Sequence, residues 1–384
     1  MIDLLIAGGG PAGLATALYA TARGLHVVVV EPRSSPVDKA CGEGLMPPAV
    51  RALHRLGIDP PGLPFYGIRY VDTKRTADAR FAGDPGLGVR RTRLHEALAT
   101  AVGDAGIEVA TGRVGEVVQD DRSVTAAGLR ARWLVAADGL HSPIRRAVGL
   151  AGSADRRARP TRPARFGLRR HFAVPPWTDL VEVHWAAGAE AYVTPVAPDC
   201  VGIAFLTTEP GGYEQRLARF PELHDRLDGA AARSEVRGAG PLRQRVTRRV
   251  AGRVLLVGDA AGYLDALTGE GIGLALAQAE AAVVCVAAAR PGDYEHAWRR
   301  ITREHRIMTG ALLWCAGRPG LRSLLVPAAA ALPSVFGYAV NRLARPPGAG
   351  RRRARTRPSP GPDPVPNPTQ APPTKGPPDE PASP

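Results

Sequence analysis

Two glycine-rich segments lie 250 residues apart, if Gly8 and Gly258 are taken as their marks. In Gly8-Gly9-Gly10-Pro11-Ala12-Gly13, glycine fills three positions where a chain turns from strand to helix against a pyrophosphate. The first permits the turn, the second lets the backbone approach phosphate, and the third lets the helix pack on the strand. The helix start then offers free N–H groups and the positive end of its dipole to an anion. Glu31 stands 18 residues beyond Gly13. A carboxylate there accepts hydrogen bonds from ribose hydroxyls and repels a 2′-phosphate, which favours FAD or NAD over NADP.

The second segment is Val257-Gly258-Asp259-Ala260-Ala261-Gly262, followed by Leu267-Thr268-Gly269-Glu270-Gly271-Ile272-Gly273. A carboxylate at a strand's C-terminal edge, as at Asp259, can hold a polyol hydroxyl. Amides at a glycine-opened helix start can face an isoalloxazine ring and stabilise the charge that reduced flavin develops at N1 and C2=O. Between the two lies Ala137-Asp138-Gly139-Leu140-His141-Ser142, then Arg145. Alone it reads as an ordinary turn. Its place between the other two makes it a third grip on one bound flavin.

Cys41 sits in Lys39-Ala40-Cys41-Gly42-Glu43-Gly44-Leu45. The flanking glycines point to close approach of a ligand, and Lys39 would lower the thiol pKa. A small buried hydrophobe is the competing reading. Cys41, Cys200, Cys285 and Cys315 are widely spaced and form no C-x-x-C pair, so neither a metal site nor a disulfide framework is expected. His141 and His184 read as ordinary loop and strand histidines, without an identifiable partner. Trp185 and Tyr192 serve equally well as cavity lining or as core.

The elements that must position these residues show as hydrophobic runs. Ile2–Ala7 and His26–Val30 have strand length, and a helix at Leu14–Arg23 lies between them, ended by Gly24. Together they form a right-handed parallel β-α-β unit. Helices are expected at Pro48–Leu56 and Leu94–Ala105, and a strand at Ile107–Thr111. A hairpin follows over Val114–Ala127, then a buried strand at Trp133–Ala137. Arg165–Phe172, Leu180–Trp185, Ala191–Val196 and Val201–Leu206 alternate as in an antiparallel sheet. Tyr213–Phe220 is helical, Val254–Val257 is a strand, and a long helix runs from the glycine loop to Ala289. Tyr294–Leu313 is an amphipathic helix, and Leu321–Leu343 is apolar but broken by Pro327 and Pro333. The fold class is α/β. A Rossmann-type FAD-binding domain spans 1–155 and 250–290, and an inserted antiparallel-sheet substrate domain spans 156–249. A helical C-terminal region (291–345) and a disordered Pro-rich basic tail (346–384) complete the chain.

The chain's 384 residues are 45% hydrophobic but only 5% aromatic, so Ala, Val and Leu must fill the core. A formal charge of +14 raises nucleic acid, anionic membrane and anionic cofactor as partners. Arginine far outnumbers lysine, a pattern that compositional bias explains as well as function does. Six basic and three acidic residues give the tail +3, which leaves +11 to the folded part. Low aromatic content and no RNA-binding signature argue against nucleic acid. There is no clean apolar run of 18 residues, Met1-Ile2-Asp3 has no basic n-region, and the cysteines are dispersed. These features point to the cytoplasm. Peripheral membrane contact, through 321–343 or Arg351–Arg357, is the lesser reading.

Taken in order, the three motifs resemble the aromatic-hydroxylase-type (group A monooxygenase) flavoproteins, over roughly residues 1–345. Arg91-x-x-Leu94 fits that superfamily's arginine before its second helix. Lys39–Leu45 and Thr268–Ile272 resemble the loops of one branch, the geranylgeranyl reductases and menaquinone-side-chain reductases. Where the family's pattern has proline, this chain has Ala266. The resemblance implies FAD, reduced by NAD(P)H as a transient donor, since no second GxGxxG domain is visible. It implies that Gly8, Gly10, Pro11, Ala12, Gly13 and Glu31 hold the ADP half, with Arg91 and Asp138 on the pyrophosphate side. Gly258 and Asp259 would hold the ribityl chain, Gly269, Glu270, Gly271 and Ile272 the ring, and Cys41 would lie at the substrate end. The reaction favoured is reduction of a carbon–carbon double bond in a lipophilic small molecule. The alternative is NAD(P)H- and O2-dependent hydroxylation of an aromatic or polyketide-like compound, and a lesser one is a non-catalytic binder of membranes or polyanions.

Overall fold

A computed structural model describes residues 1–152 and 163–348. Part of the arginine-dense stretch, and the tail from residue 349, lie outside the described residues. The first sheet is built on Ile2–Ala7 and Val27–Glu31, joined by the helix Pro11–Thr21. Four consecutive valines from Val27 suit a strand covered on both faces, and all are buried. Strand order runs Val250–Ala251, Val254–Leu256, Leu129–Ala136, Ile2–Ala7, Val27–Glu31, Glu108–Thr111. From Val254–Leu256 to Glu108–Thr111 the pairs are parallel, so their C-terminal ends meet on one edge. All three motifs leave from that edge, at Gly8, Asp138 and Gly258.

The second sheet has seven strands, in the order Arg237–Ala239, Phe166–Phe172, Cys200–Thr207, Ala189–Ala197, Val181–Ala186, Gly67–Val71, Thr76–Arg80. It is antiparallel except where Val181–Ala186 runs parallel to Gly67–Val71. The sheet therefore extends beyond residues 156–249 and takes two strands from an earlier stretch. One face packs a core of Ile203, Phe205, Tyr213 and Phe220 under the short helices Tyr213–Leu217 and Pro221–Arg226. The helix expected over 213–220 is thus two pieces. Pro221 cannot continue the first and instead opens the second.

Helix Gly271–Ala287 packs against Pro11–Thr21, joining the two ends of the chain. The expected hairpin at 114–127 forms from Val117–Gln119 and Val124–Ala126, and Leu129–Ala136 extends it into a three-strand meander. Residues 319–343 form three helices, Pro319–Arg322, Leu325–Ala331 and Pro333–Leu343. Pro327 causes no break because it lies in the first turn, where its missing N–H costs no hydrogen bond. No single described helix is long and apolar enough to cross a membrane.

Candidate active site

The turn after the first strand is built by exclusion of side chains. A Cβ on Gly13 would lie 1.8 Å from the Gly8 carbonyl oxygen. One on Gly8, whose φ is +107°, would lie 2.5 Å from that of Ala137. The helix that starts at Pro11 therefore points its open N–H groups into a cavity of about 310 Å³. Gly10, Pro11, Ala12, Arg91, Asp138, Gly258, Asp259, Gly269, Gly271, Ile272 and Cys41 all line it. Gly8, Gly13, Glu31 and Glu270 do not; they stand behind the wall.

Glu31 is already engaged. Its Oε2 accepts from the Gly9 N–H at 2.6 Å, and Arg33 binds both oxygens. Burial opposes its charge, but these bonds outweigh burial and hold the carboxyl below its usual range. His95, unmarked in the sequence, donates from Nε2 to the Gly9 carbonyl at 2.9 Å and holds the same loop from behind. Arg145 joins the second motif to the third. It is 1% exposed and bonds to the carbonyls of Leu140 and Ala260 and to Gln244.

The residues present fit a flavin dinucleotide. Arg91 Nη1 and Asp138 Oδ1 are buried without a hydrogen-bond partner in the protein, and both residues line the cavity. Unpartnered buried polar atoms are rare because each costs about 1–3 kcal/mol. A donor cation suits a pyrophosphate, and a carboxyl suits a hydroxyl. Burial raises the Asp138 pKa, which suits a group waiting for a hydrogen-bonded ligand.

Lys39 does not act on Cys41 as expected. Its Nζ lies 3.5 Å from Asp259 Oδ2. Cys41 is instead pushed up, first by burial and then by the nearby Glu43 carboxylate, so its thiol keeps its proton. Glu43, which the sequence marks only by its place in Lys39–Leu45, is the centre of the loop. It holds φ +61°, which a non-glycine residue adopts at a cost. Its Oε1 accepts from the Arg91 N–H at 2.8 Å, and its Oε2 lies 2.6 Å from His171 Nε2. Arg169 can only donate to His171 Nδ1, at 3.3 Å, so Nε2 carries the imidazole proton toward Glu43. Ser234 Oγ is 2.8 Å from the same Nδ1. Glu43 and His171 are 128 residues apart in sequence, which is why no local pattern marks the pair.

The opposite wall is the second sheet. Ile68, Tyr70, Val181, Val183, Tyr192 and Leu206 face the cavity. Two of its polar groups are already used: Tyr192 donates to the Leu267 carbonyl at 2.9 Å, and Thr194 to the Gly42 carbonyl at 2.8 Å. Trp185 does not line the cavity but packs edge-on against Tyr70. His184 has a partner, Glu182, at 3.0 Å; His141 lies near the Gly240 carbonyl at 3.1 Å. Neither lines the cavity. Where proline would stiffen the turn at 266, Asp265 does so instead. It accepts from the Leu267 N–H at 3.2 Å and pairs with Arg165, which also binds Glu190. Glu270 turns away from the cavity to His305 at 2.8 Å and ties the glycine loop to the helix Asp293–Ala316.

The FAD binding domain family matches residues 1–63. The chain is similar to a menaquinone reductase of Mycolicibacterium smegmatis, 27% identical over 79% of this chain and 80% of that one. It is also similar to 3-amino-4-hydroxybenzoate 2-monooxygenase of Streptomyces cremeus, 29% identical over 78% and 82%. A solved flavin-dependent brominase shares the fold, with a TM-score of 0.75 and 18% identity over 90% and 94% of the two chains. An FAD-shaped grip assembled from three distant motifs and these likenesses agree: the chain is an FAD-dependent oxidoreductase, similar to the group A flavin monooxygenases and their reductase relatives.

Proposed function

We propose that the protein reduces a carbon–carbon double bond in a lipophilic, isoprenoid-like molecule. One observation carries this reading. The sheet wall offers a substrate mostly apolar surface: Tyr192 and Thr194 are bonded to the loops opposite, and Tyr70 carries the one hydroxyl among these lining residues that has no protein partner among the described residues. A phenolic substrate needs a polar partner to fix its hydroxyl, since an unpaired buried hydroxyl costs about 1–3 kcal/mol. An alkene needs none. The likeness to a menaquinone reductase supports the same reading, while that to an aromatic monooxygenase supports hydroxylation.

When bound, FAD would supply the two electrons and one hydrogen, renewed by NAD(P)H. Arg91 and Asp138 would hold its phosphate side, Asp259 its polyol, and the amides at Gly269–Ile272 its ring. The remaining proton must come from the protein. Cys41 lines the cavity with its thiol protonated and is the proposed donor. Glu43, which also lines the cavity, is the proposed relay that passes a proton from solvent back to the thiolate; His171 holds it at 2.6 Å, with Ser234 behind. The test follows NAD(P)H oxidation and O2 uptake together, with holoenzyme and a polyprenyl alkene. Alkene-dependent oxidation that continues without O2 is expected. Oxidation that needs one O2 per NAD(P)H and yields a hydroxylated product would establish the other reaction.

A further inference from the structure

The corner between the helices Leu325–Ala331 and Pro333–Leu343 turns its apolar residues outward. Leu324, Leu332, Val335 and Tyr338 are each more than half exposed, and Trp314 nearly so. Their neighbours Ala329, Phe336 and Val340 are buried against Ala77 and Ala79 of the sheet edge, and Val326 is buried in the core that holds Val183 and Trp185. The exposed residues are therefore not core that has come loose; they are the outer side of well-packed helices. The helices Pro319–Ala331 and Pro333–Leu343 meet at 101°, and their inner side is committed to protein, so they do not span a bilayer.

Charge chooses the occupant. No Asp or Glu stands between Glu304 and Asp363, whereas Arg318, Arg322, Arg342 and Arg345 do. Arg318 stacks on Trp314 at 3.9 Å, and Arg342 lies over Tyr338 at 5.9 Å. Acids on the elements packed beside the corner are already paired: Asp78 with Arg69, Asp84 with Arg51, and Glu304 with Arg342. Exposed aliphatics, aromatics ringed by arginine and no free carboxylate match an anionic lipid surface. A second copy of this basic chain would meet like charge.

We infer that this corner docks on an anionic bilayer. The docking helix also reaches the cavity, since Val340 and Leu343 line it while Tyr338 faces out. A lipophilic substrate could then pass from the bilayer to the sheet wall without crossing water. The inference concerns where the protein sits and holds whichever reaction the cavity performs.

The test is flotation of the full-chain holoenzyme with phosphatidylcholine vesicles, with and without about one-third phosphatidylglycerol. Binding to the anionic vesicles alone, weakened by salt, is expected. Leu324→Ser with Val335→Ser, both exposed, should lower that partition at least about tenfold. FAD content should stay unchanged. No binding to anionic vesicles would overturn the inference, as would binding that the double variant leaves intact. So would light scattering that finds dimers which the double variant converts to monomers, for a second copy would then cover the corner.

Discussion

The two walls of the cavity differ in how they treat polar atoms. The wall built on the parallel sheet leaves some unsatisfied: Arg91 Nη1, Asp138 Oδ1 and the N–H groups after Gly10. The antiparallel wall spends two of its own, Tyr192 and Thr194, on the opposing loops and otherwise presents mainly Ile68, Val181, Val183 and Leu206. One wall is incomplete without a polar, anionic ligand; the other offers mostly apolar surface. A binding site declares its ligand's chemistry by what it leaves unpaired.

The steric part of that difference is the easiest to break. Gly13→Ala would force a Cβ to within 1.8 Å of the Gly8 oxygen, and overpacking against backbone costs about 3 kcal/mol or more. The purified variant should carry no FAD. Next comes Arg91→Ala. Loss of a charged hydrogen bond, worth about 1.5–3 kcal/mol, should weaken FAD binding roughly 10- to 100-fold, read by titration of apoprotein. Unchanged affinity would show that the unpaired Nη1 is not waiting for the cofactor.

Glu43→Gln keeps an acceptor for the Arg91 N–H but removes the carboxylate facing His171. Turnover should fall by about 10²-fold and its pH profile should change, with FAD content intact. A fall in KM-limited rate alone, with the profile unmoved, would reduce Glu43 to a structural role. Asp138 tests the wall by pH. Burial raises its folded pKa above the unfolded value of about 3.9, so its stabilising contribution is full below that pH. It is lost as pH rises through the folded value. Asp138→Asn apoprotein should therefore melt higher than wild type at pH 7, and the gap should close as pH falls. Smallest is Tyr192→Phe, which removes one hydrogen bond worth about 1 kcal/mol and should leave KM for a lipophilic substrate nearly unchanged. A large rise in KM would mean that the hydroxyl serves the substrate and that the wall is not apolar in use.

The polar wall was legible in the sequence because its constraints are local. Four glycines in six residues, a valine strand and an acid at its end leave few foldings. The apolar wall was half legible. Phe166–Phe172 to Cys200–Thr207 alternate clearly, but Thr76–Arg80 buries only alanines, which carry little strand signal. Its partner Gly67–Val71 joins the sheet across more than a hundred residues, in parallel. Ionic pairings were least legible. Lys39 was assigned to the nearby Cys41, yet it reaches Asp259, and Glu43 finds His171. Only the fold brings those strangers together, and sequence distance says nothing of it.

The most direct test of the two-wall account is the product of one anaerobic turnover in D2O, with prereduced holoenzyme and a polyprenyl alkene. The account predicts a saturated bond that carries deuterium, since the N–H of reduced flavin and the protein's thiol both exchange with solvent. It also predicts that Cys41→Ala slows this step while FAD stays bound. An alkene recovered unchanged without O2, and recovered with an added oxygen atom once O2 is admitted, would contradict it.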